Sequence, residues 1–347
     1  MEGKNKLNKF LISVSPHVQD HDSIRRIMIS VILALLPAGI FSVYLFGLHA
    51  LYVILLSIAS AVLTEWACLK VMKRPLTLDD GSAVLTGLLL AYNVPAEVPL
   101  WLPVVGSAAG ILLGKMVFGG IGYNPMNPAI IGRAFLMASW PVHMTIFRTP
   151  PGAGTISGIE AVTQATPLQV FKASRLIVLN ASQHGTDQVT QSTLSISQLY
   201  SSLEKLFFGY RGGCIGETSV LLLLIGALFL ISKRIIGWKI PFSYLGTVAV
   251  LSWIFAGTDG RMFSGNPLFH MFSGGLILGA FYMATDMVTT PVTYKGRLLF
   301  GMGCGAITMI IRLWGGYPEG VSYAILLMNL TTPLLDRVTQ PRVFGGR

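Results

Sequence analysis

One short stretch of this chain offers chemistry: Thr163-Gln164-Ala165-Thr166-Pro167-Leu168, in the only long polar segment of an otherwise apolar sequence. A residue before proline is biased toward extended backbone, so Thr166 presents its hydroxyl to a second molecule; taken alone, the same residues are an ordinary turn. No His/Asp/Ser or Glu/His grouping in that segment proposes hydrolysis, and His184 reads as an isolated loop residue. No glycine run forms a dinucleotide fingerprint, and no P-loop is present. The other candidates are ionisable residues inside or at the edge of apolar runs: Glu65, Lys115, Arg133, Asp286 and Arg312. Charges in such places are costly and mark function or pairing. Glu65 suits a basic partner or a cation pathway, and Lys115 and Arg133 are long enough to snorkel to a surface. Asp259 and Arg261 read as a pair with each other or with another protein of a complex. The three cysteines are too scattered for a disulfide framework or a metal box. Cys68 and Cys304 fall in apolar runs as packing residues, and Cys214 reads as a free thiol outside the bilayer.

These residues must be held by membrane helices. Over 347 residues, 52% are hydrophobic and 12% charged, and the mean hydropathy is +0.65, whereas soluble domains carry about a quarter charged residues. The formal charge of +10 is dispersed at the ends of apolar runs, which reads as membrane orientation and not as a nucleic-acid surface. The polar, basic start of the chain has no apolar core of the kind a cleaved signal needs. A spanning helix needs about 20 apolar residues, and ten stretches qualify in whole or part, at roughly 26–47, 50–71, 81–94, 99–118, 127–144, 217–232, 240–256, 268–287, 296–314 and 321–335. The third, fifth and sixth are short, and the third ends in Asn93-Val94-Pro95, so broken or half-spanning helices are expected. Most of the 25 Lys and Arg fall on one side if the N-terminus is inside, which puts both termini inside and 145–216 outside.

The expected organisation is therefore an inside segment 1–25, a first membrane repeat 26–144, an outer loop 145–216, a second repeat 217–336 and an inside tail 337–347. A loop that long is expected to be functional. An internal repeat is also legible. Gly81 to Gly87 with Tyr92-Asn93-Val94-Pro95 is echoed by Gly274 to Gly279 with Thr285-Asp286 and Pro291, and Phe118-Gly119-Gly120 with Tyr123 returns as Trp314-Gly315-Gly316 with Tyr317. Five spans per half would invert the second half relative to the first. The fold class is thus an all-α polytopic membrane protein of about ten transmembrane helices in two inverted five-helix repeats. A solute channel or transporter would share that body.

Five segments in this order narrow the choice: Ser15-Pro16-His17 with Ser23 to Met28, Asp79-Asp80-Gly81-Ser82-Ala83, Gly122-Tyr123-Asn124-Pro125-Met126-Asn127-Pro128-Ala129, Ala165-Thr166-Pro167-Leu168, and Met283-Ala284-Thr285-Asp286. On these the chain resembles the D subunits of the Rnf ion-translocating electron-transport complexes and, more distantly, the B subunits of the sodium-translocating NADH:quinone reductases, over nearly its whole length. The resemblance implies covalent FMN on Thr166 through a phosphoester, attached by a flavin transferase that reads Thr163 and Ala165. Gln164 stands where glycine is common, and the nearest upstream acid is Glu160, not aspartate, a departure that leaves open a scaffold subunit carrying no flavin of its own. It further implies a second, non-covalent flavin such as riboflavin nearer the inner face, for which Asn124, Asn127, Asp286, Thr289 and Thr290 are the candidates. Partners implied are the other subunits of an Rnf-type complex in a bacterial or archaeal cytoplasmic membrane. The activity implied is electron transfer of the ferredoxin/NAD type coupled to Na+ or H+ translocation.

Overall fold

The computed structural model describes residues 23–149, 162–163, 165–180, 186–209, 212–257 and 261–340. Glu160, Gln164, His184 and Asp259, singled out above, lie outside them. Helical segments fall within each of the ten apolar stretches, where bonds along the helix satisfy the backbone's own polar groups. The first two are α1 (Ile24–Phe46) and α2 (Leu48–Val71), turned about Gly47 at φ 80. Then come α3 (Ser82–Tyr92), α4 (Trp101–Ile111, continued as a π-helical turn over Leu112–Met116), α5 (Pro128–Ser139) and the short α6 (Pro141–Thr145). After the polar segment follow α10 (Val220–Ser232), α11 (Lys239–Phe255), the interrupted pair α12 (Pro267–Phe272) and α13 (Leu276–Leu278, continued as a π-helical turn over Gly279–Met283), α14 (Tyr294–Trp314) and α15 (Val321–Val338). Helices α1, α2 and α14 are each long and apolar enough to cross a membrane, and the chain is a polytopic membrane protein.

Small residues let these helices touch. A Cβ on Gly87 of α3 would lie 2.7 Å from the Ile58 Cα of α2, and one on Gly132 of α5 would lie 2.5 Å from the Gly106 carbonyl oxygen of α4. Hydroxyls add bonds across the same faces: Ser57 Oγ donates to the Gly87 carbonyl at 2.7 Å, and Ser60 Oγ to that of Val104 at 2.7 Å. Such contacts hold helices together where lipid removes the hydrophobic drive.

The helix breaks are repaired by other parts of the chain. Helix α3 stops after 11 residues at Asn93-Val94-Pro95, where the proline has no N–H to continue it. Asn93 Nδ2 turns back to the Leu89 carbonyl at 2.7 Å, and the freed Val94 carbonyl accepts from the Ile215 N–H at 3.1 Å. The Ile215 carbonyl in turn accepts from Ser42 Oγ of α1 at 2.5 Å. Irregular backbone at depth persists where protein covers it in this way.

The 145–216 segment is not the loop expected from its Ser, Thr, Gln and Gly content. It folds into α7 (Pro167–Leu179), α8 (Thr186–Ser201) and α9 (Leu203–Phe208), with two antiparallel two-residue strands, β1 (Arg148–Thr149) and β2 (Val162–Thr163). Two basic residues of α7 cap helices of the bundle. Lys172 Nζ donates to the carbonyls of Ile311, Gly315 and Tyr317 at the end of α14, and Arg175 to those of Phe255 and Gly257 at the end of α11. Cations suit helix C-termini, so the charges anchor α7 on the bundle. Phe171 packs between them on Phe269 and His270 of α12, ring centroids 5.4 and 4.9 Å apart.

Candidate functional site

Thr166 is the N-cap of α7. Its backbone is extended (φ −62, ψ 155), as Thr-Pro requires, and Pro167 fills the first helical position. The Gln169 N–H donates to Thr166 Oγ1 at 3.3 Å while the Thr166 N–H donates to Gln169 Oε1 at 2.9 Å, a complete capping box. The hydroxyl is thus committed to its own helix and the residue is only 5% exposed, more enclosed than the sequence led us to expect. Ala165 beside it is exposed, and Thr163 is the second residue of β2. An ester on Oγ1 would leave that oxygen able to accept, and a phosphate there would meet the positive end of a 13-residue helix.

Gln169 also lines a cleft at this end of the bundle, with Arg133, Met137, Met144, Phe147, Tyr317, Glu319 and Tyr323. Its mix of apolar and aromatic walls with a few polar groups suits an aromatic cofactor. We call it the distal cleft. Tyr317 and Tyr323 stack at 5.2 Å. Arg133 does not snorkel: it is 5% exposed because it finds partners inside. Its guanidinium donates to Asn93 Oδ1 at 2.8 Å and to the Glu319 carboxylate, and lies 3.9 Å from Cys214 Sγ. Cys214 is correspondingly buried, 1% exposed, and not an accessible thiol. Ligand atoms of Cys214, Glu217 and Glu319 lie within 4.8 Å of one another, but a metal among them would face the fixed charge of Arg133.

A second cleft opens at the opposite end, where α1, α3 and α5 begin. We call it the proximal cleft. Its wall brings together Asn124, Asn127 and Asp286, with Ser82, Thr86, Lys115 and Tyr282. Asn127 also caps α5 through the Ala129 N–H at 3.0 Å. Thr289 and Thr290 stand behind Asp286 instead of lining the cleft: Thr289 Oγ1 donates to its carboxylate at 3.3 Å and Thr290 Oγ1 to its carbonyl at 2.9 Å. At the cleft wall, Lys115 Nζ reaches both Glu65 oxygens, at 2.6 and 2.7 Å, and Ser82 Oγ at 2.6 Å. Glu65 and Lys115 are 1% and 3% exposed, so Lys115 too stays inside with a carboxylate and does not snorkel. Arg312 is likewise buried, on the carbonyls of His270, Ser273 and Glu319.

A buried polar chain joins the two clefts. From the proximal side, Asn127 Nδ2 donates to the Met283 carbonyl at 3.4 Å; Asn93 Nδ2 lies 3.3 Å from Met283 Sδ; Asn93 Oδ1 holds Arg133, which holds Glu319. Asn93, Met283 and Glu319 were not singled out as site residues from sequence. The break at Asn93-Val94-Pro95 was visible, but an acid in Tyr317-Pro318-Glu319-Gly320 looks like a solvated turn. Outside the membrane helices, burial pushes the Tyr200 phenol up to about 12, against the nearby Arg175. Burial also holds the Lys172 ammonium below its ordinary value.

Comparison with known proteins agrees over the full length. The model of the NQR2, RnfD, RnfE family matches residues 11–345. The D subunit of the proton-translocating ferredoxin:NAD(+) oxidoreductase complex of Clostridium ljungdahlii is 49% identical, covering 100% of this chain and 99% of that protein. The D subunit of the Na(+)-translocating ferredoxin:NAD(+) oxidoreductase complex of Acetobacterium woodii is 46% identical over 98% of this chain and 96% of its own. The D subunit of an ion-translocating oxidoreductase complex of Stutzerimonas stutzeri is 43% identical over 93% and 92%.

Proposed function

Because the chain belongs to the NQR2, RnfD, RnfE family, we propose that it is the D subunit of an ion-translocating ferredoxin:NAD+ oxidoreductase complex, with FMN esterified to Thr166 above the distal cleft. The observation that carries this is the capping box: Thr166 starts α7 and its partner Gln169 lines that cleft. The helix N-terminus favours the phosphate, and the aromatic and methionine walls favour the ring. Thr163 and Ala165 belong to the stretch that a flavin transferase reads. Since Thr166 is buried, attachment requires the first turn of α7 to open or precedes its docking.

A second flavin, riboflavin or a relative, occupies the proximal cleft, where Asn124 and Asn127 offer side-chain amides and Asp286 a carboxylate backed by Thr289 and Thr290. Bound, the two flavins supply one- and two-electron chemistry. The chain's own part is to hold them at opposite ends of a protein-filled, water-poor body and to join them by the polar chain from Asn127 to Glu319. The names of the relatives divide between protons and Na+, so the coupled ion is Na+ or H+, and the Glu65–Lys115 pair is the buried charge nearest to hand for it.

The body is ten spans in two inverted halves with both termini inside. In support, Tyr92 Oη donates to the Leu35 carbonyl of α1 and Tyr282 Oη to the Leu223 carbonyl of α10, each at 2.8 Å. In the same way, Lys115 bonds Ser82 at the start of α3, and Arg312 bonds Ser273 just before α13. Ultraviolet in-gel fluorescence of the denatured chain, co-expressed with a flavin transferase, tests the flavin. A fluorescent wild-type band that disappears in Thr166→Ala is expected; a dark wild-type band, or one that persists in the variant, overturns the assignment.

A further inference from the structure

We propose that the buried Arg133–Glu319 ion pair sets the reduction potential of the ring held in the distal cleft, with Arg133 supplying the stabilising charge and Glu319 damping it. The inference rests on the reading that FMN on Thr166 places its ring there.

Arg133 is a charge that cannot be shed, since guanidinium stays protonated at any working pH. It is 5% exposed and lines the cleft, where its field is screened less than at an exposed surface. Its geometry is fixed from three sides: Asn93 Oδ1 at 2.8 Å, the Glu319 carboxylate, and Cys214 Sγ at 3.9 Å. Glu319, 8% exposed, lines the same cleft. Two further buried ionisable groups stand near the pair: Glu217, with a carboxylate oxygen within 4.8 Å of a Glu319 carboxylate oxygen and of Cys214 Sγ, and Arg312, whose Nε donates to the Glu319 carbonyl at 3.1 Å. The formal charges of the four sum to zero, and of them Arg133 and Glu319 line the cleft, so a change in either of these two leaves an uncompensated charge at its wall.

An isoalloxazine ring that takes up two electrons and one proton passes from uncharged to singly negative. A fixed positive charge at the wall stabilises the reduced form and raises the potential, and a fixed negative charge lowers it. Removing Glu319's charge while keeping its shape unmasks Arg133; removing Arg133's charge unmasks Glu319. The two changes move the potential in opposite directions, which loss of packing alone does not do.

The experiment is a spectroelectrochemical titration of the covalent flavin in the purified, flavinylated full chain, with dithionite as reductant. Glu319→Gln is expected to shift the midpoint up, Arg133→Gln to shift it down, and the pair of changes together to restore a value near wild type. In-gel fluorescence of every sample comes first. Without a wild-type band, the reading of Thr166 fails and this inference with it. With the band present, midpoints that stay put or shift the same way in both single variants overturn the inference alone. If Arg133→Gln does not fold, Glu319→Gln and the charge-neutral double variant decide: an unshifted or lowered midpoint in Glu319→Gln refutes the role.

Discussion

Removing one member of the Glu65–Lys115 pair should be far more damaging than removing both. Glu65 is 1% exposed and its two oxygens are held at 2.6 and 2.7 Å by a single ammonium. Lys115→Met takes away that cation and leaves a buried carboxylate facing Ser82 and apolar helix, a loss of about 3–5 kcal/mol for a broken buried pair. Glu65→Met strands the ammonium, which among the described residues keeps Ser82 Oγ at 2.6 Å, and falls in the same range. The double substitution buries no charge and fills the space with apolar side chains, so it should be close to neutral. With each single change costing about 3–5 kcal/mol and the double close to zero, the coupling energy is about 6–10 kcal/mol, above the roughly 3 kcal/mol that contacting residues ordinarily reach. Reversible unfolding in mixed micelles, followed by tryptophan fluorescence, measures the cycle. Additive single effects, within about 0.5 kcal/mol, would show that the pair is solvated or conformationally loose and would refute the account of why Lys115 stays inside.

Three further outcomes follow from the contacts. Lys172→Met with Arg175→Met removes the caps on α14 and α11, and limited proteolysis should then cut α7–α9 while the rest of the bundle stays intact; equal resistance would mean that Phe171 packing suffices. Because burial raises the Tyr200 phenol to about 12, the folded state holds that proton more tightly than the unfolded chain. Its contribution is complete below the ordinary tyrosine value and disappears as pH rises through about 12, so docking of α7–α9 should weaken over that interval, and Tyr200→Phe should reduce the pH dependence measured by the same proteolysis, the remainder belonging to the Lys172 ammonium, which burial holds below its ordinary value. Gly132→Leu drives a side chain into the Gly106 backbone, 2.5 Å from the first added carbon; it should lower stability in micelles by about 1–3 kcal/mol or more, and an unchanged unfolding midpoint would mean that α4 and α5 separate freely.

What could be read beforehand and what could not divides along a physical line. Apolar length and helix breakers act locally, so the helices over all ten stretches and the break at Asn93-Val94-Pro95 were legible from residue order alone. The helices of 145–216 were not, because α8 is rich in Thr and Ser, which are poor helix formers, and it is the carbonyl ends of α11 and α14, far off in sequence, that anchor neighbouring α7. Thr166 was visible as Thr-Pro, but its burial depends on Gln169 closing the cap. Arg133 and Lys115 were expected at a surface because an isolated cation has nowhere else to go; each stays inside because a glutamate on another helix or turn, Glu319 or Glu65, stands opposite. Such pairings are set by which elements the fold brings together, and in this molecule the two interrupted helices do that. By stopping short, α3 and α13 leave Asn93 and Met283 with polar atoms facing each other in the middle of the body. A helix continued past Met283 would have used the Met283 carbonyl internally, and Asn127 Nδ2 would lose the bond that begins the chain between the two clefts.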